Sequence, residues 1–261
     1  MEQLSFGTCV KNSWISTWQA IARMPGLFLG AFAILACTSV LTGPFQHLPS
    51  QDADLDVAAK IGHTFLTGAF SVLQLVVYGC VTIKVNRFVL LGEGIHPLLP
   101  LGGKPLGRYA LISVGLVVSM IALMLVLVLG MHGAGAGTGG AALIAMLAFF
   151  AYMFVIIRLS LLYPALSLGS RLTLSAAWKD SRGHFWSMVG IGVVAYLPLM
   201  IVWIAALEVF GRRALIAGTH GSPAFAIGLA FVNALFMVLA ASVLSWLYRR
   251  YANELLRHVT S

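Results

Sequence analysis

The sequence predicts an all-α integral membrane protein with six transmembrane helices, which form three hairpins, and with amphipathic helices at the cytoplasmic interface. Of its 261 residues, 60% are hydrophobic and only 9% are charged, whereas soluble domains average about 25% charged residues. The apolar residues are grouped into six segments, each about long enough to cross a hydrocarbon core of ~30 Å. Because no segment is polar enough to form a soluble domain, we expect a single membrane domain over residues 1–261.

The first predicted element is an amphipathic helix over residues 5–23, with Ser5 as its N-cap. Apolar residues recur along one face at helical spacing, namely Phe6, Val10, Trp14, Trp18 and Ile21. Two interpretations fit this pattern. The helix lies in the lipid headgroup region with its tryptophans as anchors, or it packs against other helices of the protein.

The six predicted spans are residues 26–42, 60–85, 108–131, 141–163, 186–207 and 224–248. The first is near the lower limit of roughly 17 residues for a spanning helix. The fourth ends at Pro164, and a second amphipathic segment covers residues 166–182. The loops include an acidic one at 43–57, one at 91–107 and a glycine-rich one at 132–140, and a basic tail begins at Arg249.

The positions of the basic residues predict the orientation. If both termini are cytoplasmic, thirteen lysines and arginines fall on that side and three on the other, which is the bias that membrane proteins show towards the cytoplasm. The three are Lys60, Arg212 and Arg213. The thirteen are Lys11, Arg23, Lys84, Arg87, Lys104, Arg108, Arg158, Arg171, Lys179, Arg182, Arg249, Arg250 and Arg257.

The ends of the predicted hairpins resemble one another. Residues 83–86 (Ile-Lys-Val-Asn) match residues 157–160 (Ile-Arg-Leu-Ser) 74 positions later, and Lys104 matches Lys179 75 positions later. Residues 11–13 also resemble residues 179–181. This favours three repeats, at 1–87, 88–160 and 161–250. The alternative is that any chain of alternating topology repeats its charge placement.

A short motif around the fourth and fifth spans resembles a known family. Its residues are Arg158, Pro164, Ala177, Trp178, Ser181, Gly183 and Phe185, and the sixth span ends on the similar Tyr248, Arg249 and Arg250. The pattern is similar to the membrane domain of some glycerophosphoryl diester phosphodiesterases and of related bacterial inner-membrane proteins. The resemblance implies a six-span module of the bacterial inner (cytoplasmic) membrane. At 261 residues we see no room for the catalytic barrel and do not expect its activity.

Arg158 is the one basic residue well inside a predicted span. Either it packs within the bundle and reaches the cytoplasmic headgroups, or it joins Lys84 and Arg87 in holding a phosphate or carboxylate. Lys179 and Arg182 extend this candidate anion or headgroup site along the second amphipathic segment.

Four tryptophans are the predicted interfacial anchors, because indole rings favour the headgroup level. They are Trp14, Trp18, Trp178 and Trp186.

Enzymatic and nucleic-acid functions find no support in the sequence. No carboxylate lies inside a span, and no nucleophile has a base beside it. No cluster has metal-ligand spacing, so we expect neither catalysis nor a cofactor. The net charge of +8 is divided among the ends of the spans rather than gathered into one basic patch, which argues against a nucleic-acid partner.

Two functions remain. The first is a non-catalytic module that organises anionic lipid or a partner membrane protein through its basic cytoplasmic face. The alternative is a small transporter or channel subunit with a cytoplasmic anion site around Arg158. Transporters place polar sites near the midplane of the membrane, so a polar, water-accessible cavity reaching that depth would favour the alternative.

Overall fold

The structure, a computed structural model, describes residues 5–42, 57–92, 104–133, 138–170, 174–208 and 223–252. Within these ranges the chain forms nine α-helices and no β-strand. They are α1 (Phe6–Arg23), α2 (Pro25–Thr42), α3 (Val57–Leu91), α4 (Lys104–Gly133), α5 (Thr138–Leu159), α6 (Leu162–Ser167), α7 (Leu174–Asp180), α8 (Phe185–Ala206) and α9 (Pro223–Tyr251).

The expected class is confirmed among the described residues: they are all-helical, with several helices long and apolar enough to span a membrane. Among the described residues, five helical segments are long and apolar enough to cross a membrane. Helices α1 and α2 would add a sixth if they are taken together, as a pair bent by 90° at their junction. Pro25 opens α2 directly after this bend, in a position where its missing N–H group costs no helical hydrogen bond.

The N-terminus of α1 follows the prediction closely. Ser5 has extended backbone geometry, and its hydroxyl accepts a hydrogen bond from the Thr8 N–H group at 3.2 Å. This satisfies one of the donors that a helix N-terminus leaves without a partner. Ser5 is therefore the N-cap that the sequence predicts.

Helix α9 is the centre of the bundle and packs against α1, α2, α3, α6 and α8. Small residues such as Ala230, Ala234 and Ala241 are fully buried along it and allow close approach of its neighbours. The helices α4 and α5 are peripheral, and most of their large apolar side chains are exposed. Such a surface suits contact with hydrocarbon rather than water.

Polar contacts join the helices at the ends of α3 and α6. The buried Ser245 hydroxyl donates to Asn86 Oδ1 at 2.8 Å. Arg249 donates to the Val89 carbonyl at 2.5 Å, near the end of α3, and Arg108 donates to the Ser170 carbonyl at 2.9 Å, just after α6. Both arginines therefore satisfy carbonyls near a helix C-terminus, where basic side chains are favoured.

The region after α5 differs from the predicted boundaries. The helix ends at Leu159 instead of Pro164, and Pro164 is the third residue of the buried helix α6. A proline fits there because first-turn N–H groups have no partner within a helix. In place of one helix over 166–182, the chain forms α6 and α7, with Gly169 at φ 88° after α6.

Several predictions fall outside the described residues. These are the acidic loop at 43–56, residues 93–103 of the next loop, residues 134–137 of the glycine-rich loop, the tail from residue 253, and the positions of Arg171, Arg212, Arg213 and Arg257.

Candidate functional site

Several helix ends meet at one end of the bundle, which we call the basic end. There α3 and α9 finish at Leu91 and Tyr251, and α8 begins at Phe185. Ser187 and Tyr251 share a 2.6 Å hydrogen bond between their hydroxyls, which ties the start of α8 to the end of α9. Four of the predicted basic residues, Lys84, Arg87, Lys179 and Arg182, lie in α3 and around α7, near this end.

Helix α1 lies across the basic end, from α8 to α3. Its Phe6 ring packs against Gly190 of α8, where an added Cβ would lie 3.3 Å from the ring. In the middle of the helix, Ser16 accepts a hydrogen bond from Trp246 Nε1 of α9 at 3.0 Å. At its C-terminus, Arg23 lies over the Phe88 ring of α3 at 5.7 Å. These contacts fix α1 against three helices.

The face of α1 that packs on the protein carries small buried residues as well as the larger Phe6 and Trp14. Ser13, Thr17 and Ala20 are buried there, and the two hydroxyls donate to carbonyls within α1 itself at 2.8 Å. Small side chains with internally bonded hydroxyls let helices approach closely. Of the two interpretations of this segment, packing against protein is therefore observed, while contact of its other face with lipid remains a prediction.

Arg158 is enclosed by aromatic rings in the last turn of α5. Its guanidinium lies 4.2 Å from the ring centroid of Trp178 and 5.1 Å from that of Phe154, and the side chain is only 8% exposed. Within the described part of the chain, its Nε has no hydrogen-bond partner. Cation–π contacts of this kind contribute about 0.5–2 kcal/mol, so the arginine joins α5 to α7.

The other predicted basic residues do not all gather around Arg158. Lys84 and Arg87 are partly buried on α3, which packs against α4 and α6, whereas α5 packs against α4, α7 and α8. Lys179 and Arg182 are exposed beside Trp178, the residue that contacts Arg158. The structure therefore groups Arg158 with the α7 residues.

The four predicted tryptophan anchors fall into two groups. Trp18, Trp178 and Trp186 are exposed, Trp186 to 81%. Trp14 instead is partly buried against the core, and its Nε1 donates to the Ala195 carbonyl of α8 at 3.1 Å. The indole N–H group of Trp14 is thus hydrogen-bonded within the protein, so Trp14 fixes α1 to α8.

A cleft of about 610 Å³ opens between α3, α4, α6, α8 and α9. The sequence does not predict it. Six of its lining residues carry a hydroxyl or amide group, and we call it the tyrosine cleft. They are Tyr78, Thr82, Tyr109, Tyr163, Tyr196 and Asn233. Since these residues come from five helices, no local pattern in the sequence brings them together.

Close packing of α3 against α4 shapes one wall of the tyrosine cleft. A Cβ added to Gly79 would lie 3.0 Å from side-chain atoms of Leu106 and Tyr109, so only glycine lets α4 approach this closely. Tyr109 has the hydroxyl side chains of Thr82 and Ser113 as neighbours. Its ring lies 5.1 Å from that of Tyr163, which leaves this part of the lining well ordered by its own contacts.

A second cavity, mainly apolar, adjoins the tyrosine cleft. It has a volume of about 520 Å³ and lies between α5, α8 and α9. Tyr196 and Leu244 line both cavities, and the Tyr196 ring is held by stacking on Phe236 at 5.9 Å. Both volumes are within the usual range for ligand sites, about 300–1,000 Å³. We call the second cavity the apolar groove.

The described residues offer no metal-binding cluster of histidine, cysteine, aspartate and glutamate. The chemistry at hand is that of cations on aromatic rings at the basic end, and of hydroxyl and amide groups in the tyrosine cleft. Both suit binding through hydrogen bonds and charge.

Comparison with known proteins identifies no relative: no protein-family model, no curated protein and no solved structure matches this sequence.

Proposed function

We propose that this chain is a non-catalytic, multi-pass protein of the bacterial inner membrane whose basic end binds anionic lipid headgroups. The proposal includes the six-span, N-in/C-in topology with three hairpins and the relationship to phosphodiesterase membrane domains that the motif at residues 158–185 implies. A membrane protein partner held at the same surface is the other role that this architecture would serve.

One observation carries the proposal. Trp178, Lys179, Arg182 and Trp186 are all exposed on α7, on the turn that follows it and at the start of α8, and we call them the α7 patch. Exposed indole rings beside cationic side chains are typical of a surface at the headgroup level of a membrane. Each basic residue near an anionic leaflet contributes about 1 kcal/mol, so the two cations together would favour anionic lipid by about 2 kcal/mol.

The test is the lipid that remains bound after purification in mild detergent. Native mass spectrometry would compare phosphatidylglycerol with phosphatidylethanolamine on the wild type and on the double variant Lys179→Gln/Arg182→Gln. We expect a preference for phosphatidylglycerol that falls about 30-fold in the variant, the equivalent of 2 kcal/mol.

A matched variant removes two charges from the predicted opposite side, Arg212→Gln/Arg213→Gln. It should keep the wild-type preference, because those positions face the other leaflet in the proposed topology. If both double variants lost the preference for phosphatidylglycerol equally, net charge alone would explain it. An unchanged preference in the α7-patch variant would overturn the proposal.

The alternative function, a small carrier with an anion site at Arg158, is favoured by the buried position of this arginine, which is only 8% exposed and whose Nε has no hydrogen-bond partner among the described residues. The test is uptake of radiolabelled phosphate into proteoliposomes. A carrier of this kind would show uptake that Arg158→Ala abolishes, whereas absence of uptake by the wild type would exclude phosphate as its cargo.

A further inference from the structure

We infer that the tyrosine cleft is a binding site for an uncharged amphiphile, whose hydroxyl or carbonyl groups lie among the tyrosines and whose apolar chain extends into the apolar groove. This site is separate from the α7 patch, and the inference does not depend on the proposed binding of anionic headgroups.

The tyrosine cleft contains hydrogen-bonding groups that no described residue satisfies. In the part of the chain that the structure describes, the side chains of Tyr78, Tyr196 and Asn233 form no hydrogen bond, although all three line the cleft. A polar group without a partner is unfavourable in an apolar medium. Because hydroxyl and amide groups both donate and accept, these three side chains suit a ligand that carries hydroxyl or carbonyl oxygens.

The polar groups of the tyrosine cleft lie at different depths below the basic end. Tyr109 lies five residues after the start of α4, and Asn233 lies 18 residues before the end of α9. At 1.5 Å per residue these positions are roughly 8 Å and 27 Å from the basic end along their helices. The polar groups therefore extend well into the hydrocarbon region, where a ligand must itself be largely apolar.

The side chains that line the tyrosine cleft determine which charge a ligand can carry there. None of the described residues that line the cleft is aspartate, glutamate, lysine, arginine or histidine. A charged group placed there would have no counter-ion in a medium of low dielectric constant, which is strongly unfavourable. The ligand's polar part is therefore uncharged, unlike the lipid headgroup proposed for the α7 patch.

The tyrosine cleft and the apolar groove are continuous with each other. Tyr196 and Leu244 belong to both linings, so a molecule in the tyrosine cleft can place a chain against Val193, Leu197 and Met200 in the apolar groove. A polar cleft adjoining an apolar groove is complementary to an amphiphile. A small polar solute would leave the groove unfilled.

The experiment uses the full-length protein in lipid nanodiscs and two photoreactive probes with the same diazirine-bearing acyl chain. One probe is a monoacylglycerol, which is uncharged, and the other is phosphatidylglycerol. We expect the monoacylglycerol to label α8 and α9 around Tyr196 and Asn233 saturably, in competition with unlabelled monoacylglycerol. Phosphatidylglycerol should not label these positions saturably.

Two variants decide between binding in the cleft and general partition into the bilayer. Tyr196→Phe/Asn233→Leu removes two polar groups while keeping similar shapes, and should lower saturable labelling by at least fivefold. Tyr152→Phe alters a tyrosine of α5 whose hydroxyl bonds to the Leu116 carbonyl, outside the cleft, and should label like the wild type. Far-UV circular dichroism and detergent unfolding establish that both variants fold.

Unsaturable labelling, labelling unchanged in the cleft variant, or saturable labelling of the cleft by phosphatidylglycerol would each overturn the inference. Headgroup selectivity at the α7 patch is read out separately, by the mass spectrometry of purified protein, so failure of one proposal is distinguishable from failure of the other.

Discussion

The contact between Arg158 and Trp178 allows a quantitative test of how the basic end is held together. The guanidinium lies 4.2 Å from the indole centroid, inside the ≈ 6 Å limit for a cation–π interaction. Since Arg158 is only 8% exposed, the interaction is in the desolvated range, and we expect it to contribute about 1–2 kcal/mol. This corresponds to a 5- to 30-fold change in the folded-to-unfolded ratio.

A double-mutant cycle isolates this energy. The variants are Arg158→Met, which keeps the length of an unbranched side chain, and Trp178→Leu, each alone and combined. Unfolding in mixed micelles of dodecyl maltoside and dodecyl sulfate, followed by far-UV circular dichroism, gives four free energies of unfolding. The single variants should destabilise more in sum than the double variant does, by about 1–2 kcal/mol.

The control cycle replaces Trp178→Leu with Trp18→Leu. Trp18 is 59% exposed on α1, and its coupling to Arg158 should be within about 0.5 kcal/mol of zero, the range expected for independent sites. The same near-zero coupling for Trp178 would refute the reasoning. Arg158→Lys should retain only part of the coupling, because lysine lacks the planar guanidinium that stacks on the indole.

Two further predictions concern helix packing. Ser245→Ala removes the hydroxyl that donates to Asn86 and should lower the free energy of unfolding by about 1 kcal/mol, whereas Ser242→Ala, which removes a buried hydroxyl without a partner among the described residues, should be neutral in the same detergent titration. Gly79→Ala places a methyl group 3.0 Å from atoms of α4 and should destabilise by about 1–3 kcal/mol. Gly68→Ala on the same helix meets no neighbouring atom and should not; equal effects of the two glycine variants, or of the two serine variants, would contradict these assignments.

The parts of the fold that depend on local pattern could be predicted from the sequence. Apolar segments of spanning length and the Ser5 cap are properties of neighbouring residues, and helices occur at every predicted span. The predicted end of the fourth span at Pro164 lies within the candidate span Leu143–Ser167, but the helix is interrupted at Ser160 and Leu161, because a proline is compatible with the first turn of a new helix as well as with the end of one. Within residues 166–182, only Leu166 and Ser167 belong to α6, and α7 begins at Leu174; Gly169, with a φ of 88°, follows the end of α6, a position where glycine is favoured.

The candidate sites depend on tertiary structure to different degrees. A single arginine in an apolar segment is conspicuous, so Arg158 could be singled out, but its partners could not. The sequence predicts Lys84 and Arg87 as the neighbours of Arg158. In the structure, Arg158 packs with Phe154 and Trp178 instead. Likewise, helical spacing alone does not distinguish Trp14, which bonds to α8, from the exposed Trp18.

The sequence by itself determined that this chain forms several apolar helices of membrane-spanning length and a capped N-terminal helix, because those properties follow from the composition and spacing of residues close together in the chain. Only the tertiary structure decided that Tyr78, Tyr109, Tyr163, Tyr196 and Asn233 line one cleft. Their helices are brought together by the packing of α3, α6 and α8 on α9 and of α4 on α3 and α6, and such contacts between distant segments leave no periodic signal in the sequence.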